Sequence, residues 1–185
     1  MGFLAALWLP ILLSTVLVFF AAFVMWTVLP HHRSDWSPLP DEEGVMAALR
    51  EHGVGPGMYS FPFHGDRESE GYQEKVRKGP VGLMLVGRPE KRLSMAPALA
   101  QTFVYYLILA VFIAYLGWHA LGPAAEYLWA FRVVGTAALL AHAGTLPVRA
   151  IHYGFDWSQV LKEGFDGLVY ALLTAGAFAG FWPGS

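Results

Sequence analysis

Two adjacent histidines and an aspartate lie together in residues 31–35, directly after the first long apolar segment of the chain. Imidazole nitrogens and a carboxylate are ligands that transition metals accept, so His31, His32 and Asp35 form a candidate site of a membrane metalloenzyme. The competing interpretation is that these residues end a helix, because His and Arg are favourable at a helix C-terminus and bind lipid headgroups. Arg33 would then contact lipid or a partner protein. The chain has only one adjacent pair of histidines, which favours the interpretation that these residues end a helix.

A second candidate is His142, which lies inside an apolar segment that is predicted to cross a membrane. Ionisable residues at such positions are functional candidates. Ala138 lies about one helical turn earlier, and a small residue there would let a flat macrocycle approach the helix. His142 could therefore ligate bacteriochlorophyll or haem, and His119 is a weaker candidate at a different predicted depth. A hydrogen bond between helices is the alternative role for His142.

The last apolar segment carries small residues at helical spacing, which allow helices to approach closely. It contains one row of alanines and one pair of glycines, namely Ala171, Ala175 and Ala179, then Gly176 and Gly180. These rows are predicted to pack on other helices of the chain or on a partner helix. Arg132, in the third apolar segment, is predicted to reach lipid phosphates or an acidic group of a partner. Asp166 is predicted to lie in the first turn of the last segment, at the membrane interface.

The composition indicates a membrane protein with one hydrophilic insertion. Of 185 residues, 56% are hydrophobic and 14% are charged, whereas soluble domains have about 25% charged residues. Residues 31–94 hold nine of the twelve basic and ten of the fourteen acidic residues. The net charge of -2 does not favour a nucleic-acid partner. The absence of cysteine excludes disulfides, thiolate catalysis, iron–sulfur clusters and zinc–thiolate sites.

Hydropathy predicts an all-α membrane protein with four transmembrane helices. The predicted spans are residues 3–29, 97–118, 124–146 and 164–182, with tryptophans near their ends as in an aromatic belt. Lysine and arginine are concentrated between the first and second spans. The positive-inside rule therefore predicts that this segment is cytoplasmic and that both termini lie on the opposite side of the membrane. A cleaved signal peptide is not expected, because no lysine or arginine precedes residue 33.

The hydrophilic segment 31–94 is predicted to be a small α+β domain between the first and second spans. Asp41 is suited to cap the start of a helix. Residues 58–61 and 81–86 are predicted strands, and residues 69–78 are a predicted second helix. A domain of about 60 residues has a marginal core, so contact with the membrane or with a partner subunit is expected to help order it.

Two segments of the chain have a distinctive pattern. The first is LPHHRSDW at residues 29–36, followed by LPDE at 39–42, and the second is FDGLVYALLTAG at residues 165–176, closed by a Trp-Pro pair at 182–183. Both resemble a family of uncharacterised bacterial inner-membrane proteins, and FRVVG at residues 131–135 also fits the third span of that family. The resemblance covers essentially the whole chain. It implies four spans and a bacterial inner membrane with periplasmic termini, but it implies no activity.

The sequence as a whole favours a non-catalytic accessory subunit. It contains no glycine-rich phosphate loop, no Ser-His-Asp arrangement and no catalytic pair of carboxylates. Small-residue helix faces, aromatic belts and a water-facing domain indicate a subunit of a larger energy-transducing complex, photosynthetic or respiratory. Its partners would be other integral membrane subunits and the lipid bilayer. The alternatives are a pigment- or haem-binding subunit that uses His142 and a membrane metalloenzyme that uses His31, His32 and Asp35.

Overall fold

A computed structural model describes residues 2–63, 65–90 and 94–184. The chain divides into two compact units, a helical unit that contains the chain up to Trp36 and from Ala96 onwards, and an inserted unit, Ser37–Met95. The elements in chain order are α1 (Gly2–Phe23), α2 (Glu42–Glu51), β1 (Gly57–Phe61), α3 (Glu70–Lys78), β2 (Gly82–Val86), α4 (Ala96–Leu121), α5 (Tyr127–Ala143), α6 (Leu146–Tyr153) and α7 (Trp157–Gly180).

Within the described residues, three helical stretches are long and apolar enough to cross a membrane: Gly2–Val28, Ala96–Leu121 and Tyr127–Tyr153. They have 27, 26 and 27 residues, and a bilayer requires about 20. The first stretch is α1 extended by a π-helical turn at Val24–Val28, and the third contains α5 and α6. The three stretches overlap the first three predicted spans and indicate a membrane protein, and the third extends seven residues beyond the predicted end at residue 146.

Helix α7 differs from these stretches in its polarity and in its starting point. The sequence predicts a span at 164–182, but α7 begins earlier, at Trp157. Its first turns carry Lys162, Glu163 and Asp166, which lower its mean hydropathy. The glycines within α7 do not interrupt it, because single glycines are tolerated inside a helix at a cost of about 1 kcal/mol. The charged segment and the apolar segment therefore form one continuous helix.

Helix α7 packs closely on α1 and α5 within the helical unit. The predicted alanine row is buried in this packing and consists of Ala171, Ala175 and Ala179. The approach to α5 is tight, since a Cβ added at Gly135 would lie 3.1 Å from the Cβ of Ala175. Small residues on both helices make this separation possible.

The predicted glycine pair lies on another face of α7. A Cβ added at Gly176 or at Gly180 would meet no described atom within 4 Å. The two small-residue rows therefore have different surroundings, because the alanine row packs inside the chain and the glycine pair borders open space.

The inserted unit has the helix–strand–helix–strand order that the sequence predicts. The Asp41 carboxylate accepts a hydrogen bond from the Gly44 N–H at 3.0 Å, which confirms the predicted helix cap. Strands β1 and β2 pair antiparallel, with Met58 opposite Leu85. Residues 31–36, which the sequence analysis assigned to this domain, belong instead to the helical unit. The physical reason is that His31 and His32 bond to Asp166 of α7 and that Ser34 and Asp35 bond to Lys162 of α7.

The α5–α7 contact predicts unequal effects of leucine at two glycines. Gly135→Leu would force α5 away from α7, and such overpacking costs about 1–3 kcal/mol of stability. Gly176→Leu is the matched control, because it also replaces a helical glycine but places the side chain in open space. Thermal unfolding in detergent, followed by circular dichroism, is expected to show a lower midpoint for Gly135→Leu only. Equal midpoints for the two variants would contradict the close α5–α7 contact.

Candidate functional site

A short 3-10 turn at Pro30–Asp35 follows the first membrane-spanning stretch and carries the two adjacent histidines. Leu29 is extended and separates this turn from the preceding helix. Pro30 opens the turn, at a position where its missing N–H leaves no hydrogen bond unmade. Trp26, from the π-helical turn, stacks on His32 with ring centroids 3.9 Å apart and ring planes at 7°. The local backbone and this stacking together fix the orientation of His32.

Both imidazoles meet the carboxylate of Asp166 in α7. The Nε2 atom of His31 lies 3.1 Å from Oδ1 of Asp166, and the Nε2 atom of His32 lies 2.8 Å from Oδ2. Asp166 is 2% exposed and His32 is 4% exposed. A carboxylate removed from water needs such partners, because burying an unpaired charge is costly. These three side chains therefore tie the turn to α7.

Asp35 and Lys162 extend the network on the other side of His32. The Nδ1 atom of His32 lies 2.6 Å from Oδ2 of Asp35. The Lys162 ammonium donates to Oδ1 of Asp35 at 2.6 Å and to the Ser34 hydroxyl at 2.7 Å. Both nitrogens of His32 face carboxylate oxygens, which only accept, so the imidazole carries a proton on each nitrogen in this arrangement. The positive charges of His32 and Lys162 then balance the negative charges of Asp35 and Asp166.

The pKa values of His32 and Asp35 are shifted by these partners. Burial lowers the pKa of His32, but the hydrogen bonds and charges of Asp166 and Asp35 together raise it by more, so the pKa lies above its usual value. Burial raises the pKa of Asp35, but Lys162 and His32 together lower it by more, so the pKa lies below its usual value. Both shifts favour the charged forms and are consistent with an ion-paired network.

The His31, His32 and Asp166 side chains also have the arrangement of metal ligands. One ligand atom from each residue lies within 4.8 Å of the other two. Two imidazoles and one carboxylate bind zinc or ferrous iron and leave further coordination positions open. Asp35 has the position of the usual outer partner, to which a metal-bound histidine donates its second ring N–H. The Nδ1 atom of His31 is buried and has no hydrogen-bond partner among the described residues, so the internal hydrogen bonds do not satisfy the whole cluster.

The cluster differs from the one predicted from the sequence. His31 and His32 come together with an acid, but Asp35 lies on the opposite nitrogen of His32, and Asp166 faces both histidines. Asp166 was expected in the first turn of a span, and it lies buried in the third turn of α7, because α7 starts earlier than predicted. Asp166 is an acid in an otherwise apolar segment, and this segment is predicted to begin at the membrane face where the histidine pair lies. These two features could have identified Asp166 from the sequence.

The candidate pigment ligands lie on α4 and α5. His142 packs against two tyrosines, and its ring centroid lies 5.8 Å from that of Tyr106 and 5.6 Å from that of Tyr170. Ala138, one turn earlier, is fully buried in the core of the helical unit. Other residues of the chain therefore cover the face of α5 that a macrocycle would have to contact. His119 lies in the last turn of α4.

The two arginines predicted to contact lipid or a partner are exposed. Arg33 follows the histidine pair in the exposed part of the turn. The Arg132 guanidinium lies 5.9 Å from the ring centroid of Trp129, within the range of a cation–π contact. Both side chains lie where lipid phosphates or an acidic partner could reach them.

No family model matches the sequence, and comparison with curated proteins and with solved structures finds no match. The functional interpretation therefore depends on the geometry of the chain itself. The family resemblance noted in the sequence stays a prediction.

Proposed function

We propose that this chain is a membrane protein that binds a divalent transition metal through His31, His32 and Asp166. The observation that supports this function best is the convergence of one ligand atom from each residue within 4.8 Å. Asp35 bonds to Nδ1 of His32, and the Lys162 ammonium donates to Asp35. Outer partners of this kind fix the orientation of a ligand before the metal binds.

The donor set limits which metal the site would take. The chain has no cysteine, so the site offers nitrogen and oxygen ligands only. Two imidazoles and one carboxylate suit zinc and ferrous iron, whereas calcium and magnesium prefer oxygen ligands alone. Three protein ligands leave at least one position open, as in catalytic zinc sites. Such a position can activate a bound water or polarise a substrate oxygen.

Metal analysis of protein purified in mild detergent tests this function. After parallel dialysis against zinc or ferrous iron and then against metal-free buffer, the wild type is expected to retain about one ion per chain. His31→Ala and Asp166→Asn each remove a ligand and are expected to abolish tight binding. Asp35→Asn is expected to weaken binding about 10- to 100-fold, because Asp35 acts through His32.

Two matched controls accompany these variants. His119→Ala and Asp156→Asn change the same residue types outside the cluster and are expected to keep the wild-type affinity. Wild-type protein that retains neither zinc nor ferrous iron would overturn the proposal. The cluster would then be a hydrogen-bonded clamp between the turn and α7.

We further propose that α7 is a fourth transmembrane helix in a bacterial inner membrane, with both termini periplasmic and residues 31–94 cytoplasmic. Helix α7 has 24 residues, which at the helical rise give about 36 Å, enough for a hydrocarbon core of about 30 Å. The charges near its start are paired, Lys162 with Asp35 and Asp166 with His32. The basic residues between the first and second spans support the orientation.

Single cysteines can test this topology, because the chain has none of its own. Gly2→Cys, Gly65→Cys and Gly180→Cys are suitable, since a Cβ at each position meets no described atom within 4 Å. A membrane-impermeant maleimide is expected to label the first and third variants in spheroplasts and to label Gly65→Cys only after lysis. If Gly2→Cys is labelled and Gly180→Cys is not, α7 does not cross the membrane.

The second candidate function is the accessory subunit of a larger inner-membrane complex that the sequence predicts. The observation that favours it is an apolar patch on the sheet of the inserted unit. Met58 and Leu85 are cross-strand partners and are 73% and 76% exposed, and Leu83 lies on the same sheet face. Contiguous exposed apolar side chains outside the spans mark a contact surface.

Purification in mild detergent, with the tag on this chain, tests the accessory function. Integral membrane subunits are expected to co-purify in fixed stoichiometry with the wild type and to be lost from the double variant Met58→Lys/Leu85→Lys. Gln73→Lys, at an exposed position of α3, is the control for added positive charge. Recovery of the wild type as a lone protein would contradict this function.

A further inference from the structure

A cleft beside the candidate metal site has no role in the function proposed above. It has a volume of about 180 Å³ and lies within the helical unit. Asp166 forms part of its wall. The aromatic side chains of the wall come from the π-helical turn, α4, α5 and α7, and are Trp26, Tyr105, Tyr106, His142 and Tyr170. A molecule in this cleft would be next to a metal ligand.

The aromatic walls of the cleft suit a flat ligand. The rings of Tyr106, His142 and Tyr170 meet edge to face, with centroid separations of 5.8, 6.1 and 5.6 Å. Trp26 is held in place by its stacking on His32. Aromatic rings prefer edge-to-face or offset-stacked neighbours with centroids about 4.5–7 Å apart. An additional ring can therefore make the same contacts with these walls.

The charged side chains at the cleft already have partners. Glu163 binds the Arg149 guanidinium, and Asp166 is held by His31 and His32. A charged ligand would lose its water without gaining an unpaired opposite charge, which is unfavourable. An anion would in addition approach two carboxylates. The cleft therefore favours a neutral ligand.

His142 adds a polar group to the aromatic walls. It also lines a neighbouring cavity of about 10 Å³, roughly the room that one water needs. Three hydroxyl groups at that cavity donate to carbonyls of their own helices and keep their oxygens as acceptors; they belong to Ser14, Thr15 and Thr174. The cleft thus places the polar groups of His142 and Asp166 among aromatic rings.

We propose that this cleft binds a neutral, hydroxylated aromatic ring of the phenol and hydroquinone class, beside the metal held by His31, His32 and Asp166. This inference rests on the proposed metal-binding function. The volume of about 180 Å³ suits a single ring, because the pockets that hold drug-sized ligands are larger, about 300–1,000 Å³. A hydroxyl oxygen would take an open position on the metal, and a hydroxyl would exchange hydrogen bonds with His142.

Cobalt-loaded protein in detergent provides the test, because cobalt(II) takes the same ligands as zinc and its visible spectrum reports on its coordination. Hydroquinone, added without oxygen, is expected to change this spectrum and to bind saturably in equilibrium dialysis. Benzoate, which is an anionic ring, and cyclohexanol, which is neutral but not flat, are expected to bind at least about tenfold more weakly. Equal binding of cyclohexanol would overturn the proposal, because it would indicate unspecific partition.

Variants of two histidines locate the bound ring. His142→Leu is expected to weaken hydroquinone binding about tenfold by removing a hydrogen-bonding group, and His142→Gln is expected to restore part of the affinity. His119→Leu is the matched control outside the cleft and is expected to have no effect. All three variants are expected to bind cobalt as the wild type does, because neither histidine belongs to the metal cluster. Unchanged hydroquinone affinity in His142→Leu would overturn the assignment of the cleft.

The experiment can overturn the proposed metal site and the proposed ligand cleft independently of each other. If the wild type takes up no cobalt, zinc or ferrous iron, the proposed function fails, and dialysis of metal-free protein tests the cleft alone. Saturable binding of hydroquinone that depends on His142 then supports the cleft, and no binding overturns it. If cobalt binds but hydroquinone does not change its spectrum, the proposed placement of the ring beside the metal is overturned.

Discussion

The buried carboxylate of Asp166 is the group on which the chemistry of the helical unit depends. A carboxylate that is 2% exposed is costly unless cationic or hydrogen-bonding groups surround it. His31 and His32 supply these partners, and because they follow the first span directly, the end of that span is held against α7. The same histidines could hold the proposed metal, since an imidazole nitrogen that releases its proton can bind a metal beside the carboxylate.

Helix α7 combines tight packing with this polar contact in different parts of its length. Its small residues between Ala171 and Ala179 allow a close approach to α5. Close packing restricts the rotation of α7 about its own axis. That restriction in turn decides that the polar turns of α7, from Lys162 to Asp166, face the segment after the first span and not lipid. Packing at one end of the helix thus sets the geometry of the site at the other.

The arrangement around His32 is compatible with the proposed metal site as well as with a simple clamp. A clamp needs only the hydrogen bonds between the histidines and Asp166. Here Asp35 also bonds to Nδ1 of His32, and the Lys162 ammonium donates to both Asp35 and Ser34. Ordered outer partners are typical of metal-binding histidines. The accessory function concerns a different unit of the chain, the exposed Met58 and Leu85 pair, so the two candidate functions are compatible.

The sequence by itself determined the local elements, because hydropathy and capping act within one span or one helical turn. It predicted four spans, three of which correspond to stretches that are long and apolar enough to cross a membrane. It also predicted the capped helix that follows Asp41, the two strands of the inserted unit, and the adjacent histidines as candidate ligands. It did not predict that Asp166, 134 residues from His32, bonds to both histidines. It named Asp35 as the acidic candidate ligand, whereas Asp166 faces Nε2 of both histidines and Asp35 lies on Nδ1 of His32. These contacts depend on how α7 is rotated and packed against α1 and α5, and only the tertiary structure decides that, because no local pattern encodes the relative rotation of helices distant in the chain.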